Sequence, residues 1–539
     1  MTAHPVSRTT RRAATAALVT TSFLLTACGS GGGGAGDTGG RATSGGTLTF
    51  AVGSDAGCVD PQQVASNDTI YSVRQIVDSL TDQNPQTGKI VPWLAKSWDI
   101  SSDATTFTFH LRSGVTFSDG SKLTAQVVKD NFDAVPKLGA LGTLAEGYLS
   151  GLKSTTVVDP LTVKVTFQQP NAQFLQATST HSLGIESSAS VQRSPQEKCS
   201  KGVVGSGPFV LKQYVQNQSI TLAKRTGYAW GSSLWRKSGE AYLDKVVFKV
   251  VPEAGVRAGS LQSGQVDAIS SVGKANEAAL KGGQVTLQRR ANPGVVFGLA
   301  LNNSRPVLKD ARVRQAIGFA IDRKQIADAV FPTGTQPATS VLAHTTPDYT
   351  DLSSDLTTDA AKAKSLLDAA GWKTGSDGVR TKDGKKLSLT VDWIPNSATN
   401  QPALELIQQQ LKAVGIGLTL KQLQVTQLAP TLQSGDFDVA WSNITRADPD
   451  ILRSSFSTKL ANFYRLPASP LDTALTGQAA TTDTAKRAQL VQQAQELLVK
   501  NAYYAPVVEL QTQIGVAKKV HALNFDASSR IQLHDTWIG

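Results

Sequence analysis

Three cysteines, one methionine and six histidines are few for 539 residues. Such counts exclude a cysteine-dense disulfide scaffold and leave little material for a dedicated zinc site. No histidine stands in a His-Glu-x-x-His spacing, and Cys-x-x-Cys does not occur. No run of about 20 apolar residues exists, which excludes an ordinary membrane-spanning helix. Gly-X-Y and sustained heptad repeats are missing too, so collagen-like and coiled-coil chains are excluded. The turn Gly205-Ser206-Gly207-Pro208 lacks the Lys-Ser/Thr of a phosphate loop and is not Gly-x-Ser-x-Gly, so it reads as a tight turn into the strand Phe209-Val210-Leu211. Carboxylates are many but show no spacing that points to a glycosidase pair. The formal charge of +11 is dispersed, without a basic run, and no nucleic-acid patch is expected. No cofactor, metal or catalytic residue is expected.

What is present is an address, a tether and a long folded body. Arg8, Arg11 and Arg12 precede the short apolar segment Ala13 to Leu25, and small residues follow. That pattern is an export signal over residues 1–27 and not a span. Leu25-Thr26-Ala27-Cys28 resembles the bacterial lipobox, which implies lipidation of Cys28 and anchoring to the outer face of the cell membrane; plain secretion with a free Cys28 is the bland alternative. The Arg11-Arg12 pair is a weak sign of twin-arginine export. From Gly29 to Gly46 there are ten glycines in eighteen residues, so 28–46 is expected to be a flexible tether. Two cysteines remain, Cys58 and Cys199. Exported proteins meet oxidising conditions, and an even remainder favours a disulfide over two buried thiols.

The body, with 40% apolar and 18% charged residues, is globular, and its length exceeds one core. Alternation marks strands at Leu48-Phe50-Val52, Phe107-Phe109-Leu111, Leu161-Val163-Val165-Phe167 and Ile416-Leu418-Leu420, and Val246 to Val251 is a more buried run. Asp310 is placed to cap a helix carrying Val313, Ile317, Ile321, Ile326 and Val330. Asp359 opens another that stops at Gly371. Leu404, Ile407, Leu411 and Val414 mark a third, and Leu490, Ala494, Leu497 and Leu498 a long late one. The fold class is α/β (α+β) with two or more lobes and no internal repeat.

Five ordered blocks carry a resemblance. They are Leu94-Ala95-Lys96-Ser97-Trp98 with Thr108 to Gly120; Gly205-Ser206-Gly207-Pro208-Phe209; Ser263-Gly264-Gln265-Val266-Asp267; Asp310 to Ile317 with Ala320-Ile321-Asp322-Arg323; and Ala363 to Trp372. Together they resemble the family 5 extracellular solute-binding proteins of ABC importers, the oligopeptide, dipeptide and nickel group. The resemblance implies a two-lobed, periplasmic-binding-protein-like fold with an extra domain and a ligand cleft between lobes. One lobe would comprise residues 46–66, 201–295 and 509–539; an added domain 67–200 packs on it; the other lobe is 296–508. Hinge closure over the ligand is the expected motion. It implies a binding protein and not an enzyme, expected to be monomeric, that delivers a small peptide or peptide-like solute to permease subunits with their ATPase. A non-peptide solute, a surface signalling role and, less so, a surface hydrolase are the alternatives.

Peptide-binding relatives hold an extended ligand through its backbone. The matching positions are the loop with Asp55, Ala56 and Gly57, and the strand with Ala440, Trp441, Ser442 and Asn443. Trp441 is expected to form a pocket wall, with core packing as the alternative. Asp55 is expected near the ligand, with a turn-forming role as the alternative. Relatives place an aspartate about three residues after this tryptophan, for the ligand's α-ammonium. Here Ser442-Asn443-Ile444-Thr445-Arg446 carries none. Arg446 would repel an ammonium if it pointed inward, and Asp448 is the candidate substitute. A standard free peptide is therefore in doubt; an N-blocked peptide or an acidic or neutral solute fits as well. Nickel has no His-rich cluster to support it.

Overall fold

The opening alternation becomes β1 (Thr47–Val52), which buries Leu48 and Phe50. The computed structural model describes residues 41–539; the export signal, Cys28 and most of the tether lie outside them. After β1 come α1 (Asn67–Val73) and a four-stranded sheet of its own. It is made of β2 (Ala95–Ile100), β3 (Thr106–Leu111), β4 (Leu152–Asp159) and β5 (Thr162–Phe167), in the order β2-β3-β5-β4. The alternating residues Phe107, Phe109 and Leu111 face its core with Val163, Val165 and Phe167. Phe174 packs edge-on to Phe107 and Phe167, the arrangement that the ring quadrupole favours.

The chain then rejoins the first sheet through β6 (Phe209–Val215), β7 (Ser219–Lys224), β8 (Lys245–Val250), β9 (Ala268–Ile269) and β10 (Val285–Ala291). Asn292-Pro293 crosses to a second large sheet of β11 (Gly294–Leu301), β12 (Ser388–Trp393), β13 (Gly417–Gln422), β14 (Val439–Thr445) and β15 (Tyr504–Val508). Glu509-Leu510 crosses back to β16 (Gln511–Ala517). The first sheet has the order β10-β16-β9-β1-β8-β7-β6, the second β13-β12-β14-β11-β15. β1 is parallel to β8 and β9, so its C-terminal end and those of its neighbours meet the crossings.

Helices cover both faces of the second sheet. The expected single helix after Asp310 is two. Asp310 caps α2 (Ala311–Ala320), and Asp322 caps α3 (Arg323–Val330) through the Gln325 N–H. The break occurs at Ile321, which is extended. Arg323 satisfies the carbonyls it frees, donating to Gly318 O and Ile321 O as well as to Pro506 O. α4 (Ala360–Ala369) is capped by Asp359 and ends just before Gly371, whose φ of 87° suits a residue without Cβ. α5 (Asn400–Ala413) buries Leu404, Ile407 and Leu411 at helical spacing, each contributing roughly 1.5–3 kcal/mol. α2 to α5 pack on one face, while α6 (Pro470–Ala479) and α7 (Thr484–Lys500) pack on the other.

Two local readings recur. The Gly205 to Pro208 turn lies against the backbone after α1: Gly207 N donates to Ile76 O at 3.0 Å, and a Cβ at Gly207 would come within 2.6 Å of Gln75 O. Only glycine allows that approach. Cys58 and Cys199 are joined in a disulfide. No helix of the described residues is long and apolar enough to cross a membrane.

Candidate functional site

The two crossings are knitted by one side chain. Asn292 N donates to Leu510 O (2.7 Å), and its Oδ1 accepts from Thr512 N and Oγ1 (3.0 and 2.7 Å). Its Nδ2 reaches Thr445 Oγ1 at 3.5 Å. The end of β14 is thereby fixed to both crossings. Gly294, with φ of 110°, starts β11 where a Cβ would run into Ile444 O and Arg446 N, so the tight approach of the two strands needs glycine there.

β14 pairs with β11 along its length, but with β12 only at Val439 and Ala440. From Trp441 to Thr445 its other edge has no strand beside it among the described residues. Backbone groups alternate in direction along a strand. Ser442 pairs toward Gly298, and Arg446 N donates to Pro293 O. The N–H and C=O of Asn443 and Thr445 therefore face the open edge. Such an edge is a template for an extended chain.

The side chains singled out in the sequence have other employment. Trp441 is 2% exposed, stacks on Phe297 at 5.2 Å and donates from Nε1 to Asn400 Oδ1 (3.1 Å). It points with Val439 into the α2–α5 core, which corrects the pocket-wall expectation to core packing. Ala440 faces the opposite core, and Ser442 O accepts from Tyr504 Oη at 2.8 Å. Asp55 is a turn organiser: it accepts from Gly57 N, Tyr214 Oη and Asn217 N. The Ala56 N–H is taken by Thr69 Oγ1, and Asp68 holds Gly53 N and Ser54 N. Arg446 does not face an empty cleft. Its guanidinium sits 4.4 Å over the Tyr148 ring and donates to Gln173 Oε1, bridging to the segment that carries the four-stranded sheet.

Asp448 is unavailable to a ligand ammonium. Arg487 grips it with both ends of the guanidinium, at 2.6 and 3.1 Å, and Asp450 is gripped likewise by Arg453 at 2.7 Å. Desolvation opposes the Arg487 charge, but the Asp448 carboxylate more than restores it and holds the guanidinium pKa up. The substitute role expected for Asp448 is therefore corrected to an internal ion pair. Among the described residues no group of His, Cys, Asp or Glu is arranged to hold a metal ion. The sequence reading missed Asn292 and Thr445, whose importance depends on strand ends brought together from distant parts of the chain.

Residues 89–462 match the model of the bacterial extracellular solute-binding proteins, family 5 Middle. The chain belongs to this family. It is a solute-binding protein and not an enzyme. The glutathione-binding protein GsiB of Salmonella paratyphi A is 26% identical over 481 residues, covering 86% of this chain and 88% of the relative. Heme-binding protein A of Haemophilus influenzae is 27% identical over 469 residues, covering 81% and 82%. Among solved structures, NikA from Brucella suis in complex with Fe(III)-EDTA superposes with a TM-score of 0.80 at 24% identity, covering 92% of this chain and all of the other. DppA from Helicobacter pylori in complex with peptide STSA superposes at 0.76 and 24%, covering 92% and 98%. These likenesses establish the two-lobed fold of the solute-binding protein.

Proposed function

We propose that this solute-binding protein is a lipid-anchored receptor, held by Cys28 at the outer face of the membrane, that captures a peptide or peptide-like solute between its lobes and delivers it to an ABC permease with its ATPase. The lobes are residues 46–66 with 201–295 and 509–539, and residues 296–508; residues 67–200 are the added domain. The observation that carries the reading is the open edge of β14 at the crossings, where Asn443 and Thr445 offer backbone groups to an extended ligand. Backbone pairing tolerates many side chains and suits a carrier. Closure follows if the ligand contacts both lobes, because only a difference in contacts between open and closed states shifts that equilibrium. The carboxylates that follow β14 are spent on Arg487 and Arg453, so the ligand is one whose amine is blocked or needs no partner there. A relative named for glutathione is consistent with a peptide-like solute.

The test is calorimetric titration with end-blocked peptides and with the same peptides methylated on alternate backbone nitrogens. Methylation removes the donors that edge pairing uses, and the affinity is expected to fall about tenfold or more per lost pair of bonds. Equal affinity for both series would sink the edge-pairing reading.

A further inference from the structure

A cavity of about 500 Å³ lies between the end of α1, the hairpin turn at 84–86, the end of β10 and the C-terminal segment. Trp235 and Phe525 stand on its wall with Gln83 and Pro85, and four arginines line it, among them Arg74 from the end of α1 and Arg290 from the end of β10. Gln83 donates to Ala447 O of the opposite lobe, and Arg290 lies two residues before Asn292. The cavity thus abuts the crossings, and it is separate from the open edge of β14.

Its cations outnumber its acids, four arginines to three aspartates. Arg74 is 2% exposed, donates to Ser79 Oγ and Ser179 O, and lies over the Trp93 ring, yet its Nε has no partner. Arg290 donates to Pro85 O and also has a buried Nε without a partner. Behind them Arg530, 7% exposed, has a third such Nε. Among the described residues none of the three has a carboxylate at ion-pair distance. The acids on the wall are already engaged. Asp526 accepts from Ser528 N and Arg530 N and favours the Arg290 charge from beyond ion-pair distance, Asp535 binds His534 and Arg236 N, and Asp82 takes Gln83 N while burial pushes its carboxyl up toward the neutral form against the opposing charge of Arg74. Buried donors without acceptors are costly, and a guanidinium suits a planar two-oxygen acceptor best.

We propose that this cavity is a binding pocket for the carboxylate of a small solute, with Arg74 and Arg290 as its cationic contacts and Trp235 and Phe525 as apolar walls. The proposal rests on reading the chain as a solute receptor and assigns the ligand's acidic end to the lobe that carries β10.

The test is calorimetric titration of the purified protein with succinate, with glutathione and with a neutral end-blocked peptide. The parent is expected to bind at least one of the two carboxylate probes, and Arg290→Gln to weaken that binding by roughly tenfold, with Arg290→Lys between the two. Arg74→Gln is expected to act the same way. Should its loss of the Trp93 contact prevent folding, the half-buried Arg290 provides the independent variant. A parent that binds neither carboxylate at millimolar concentration, or variants that bind as the parent does, would overturn the pocket. A parent that captures the neutral peptide but ignores both carboxylates loses this pocket and keeps the receptor reading, whereas one that captures no probe loses both.

Discussion

Two regions of the protein bury arginine, and they do so in opposite ways. Below the end of β14, Arg487 and Arg453 are matched one to one by Asp448 and Asp450, and Gln478 closes the group through Asp450. Around the end of α1, the buried Arg74 and Arg530 and the half-buried Arg290 have no carboxylate at ion-pair distance among the described residues. Both regions lie near the crossings and both use the same residue type. The matched group satisfies its charges within the chain, so it serves the fold. The unmatched group has spare donors, which gives it something to do for a ligand. Burial of charge alone does not mark a site; a buried donor without a partner calls for an explanation.

The comparison is broken most forcefully by removing a matched arginine. Arg487→Leu would leave Asp448 buried and unpaired, and a loss of about 3–5 kcal/mol is expected. Denaturant unfolding measures it. Adding Asp448→Asn to that variant should recover much of the loss, because the remaining cost is then a neutral amide. A double variant no better than the single would show that the pair is not a unit.

A third fate of buried charge is to be neutralised. Burial raises the Asp78 carboxyl from 3.8 to about 6, although Trp230 Nε1 and Tyr228 Oη donate to it. Holding the value there costs about 3 kcal/mol once the group ionises. The folded value is the raised one, so the stability this group contributes is fully present below about pH 4 and is lost as pH rises through about 6. Measured against Asp78→Asn, which does not titrate, the parent's relative stability should fall by about 3 kcal/mol across that window. A pH-independent difference between the two would contradict it.

Trp441→Phe is a smaller perturbation. It keeps the stack on Phe297 and removes the bond to Asn400, for an expected loss of about 1–2 kcal/mol in unfolding free energy. Ligand affinity should stay within about twofold, since the ring faces the core. A large fall in affinity with little loss of stability would return Trp441 to the ligand side.

That last contrast shows what could be read from the sequence. The strands at Leu48–Val52 and Phe107–Leu111, the caps Asp310 and Asp359 and the Cys58–Cys199 pair follow from local pattern or from context, and the structure has them. Their causes lie within a few residues, or in the cell compartment. The direction of Trp441 does not. A strand has a period of two, so a shift of a single residue turns a side chain from cleft to core. The partner of Asp448 is 39 residues away, and beyond the local turn to Gly57 those of Asp55 are about 160 away, with no local signal. The unmatched arginines are the extreme case: residues 74, 290 and 530 come from three distant stretches of chain, the end of α1, the end of β10 and the C-terminal segment.

The smallest effect is the sharpest. Replacing an arginine that has no carboxylate partner should cost almost nothing, since the fold has already borne the desolvation of its charge. Arg530→Met keeps much of the length of the side chain and removes the guanidinium. Its unfolding free energy is expected to stay within about 1 kcal/mol of the parent's or to rise, the reverse of Arg487→Leu. Urea unfolding at neutral pH, with the two variants side by side, checks it. A loss of more than about 2 kcal/mol would mean that Arg530 has a stabilising partner after all, and the distinction between matched and unmatched charge would then fail at its third member.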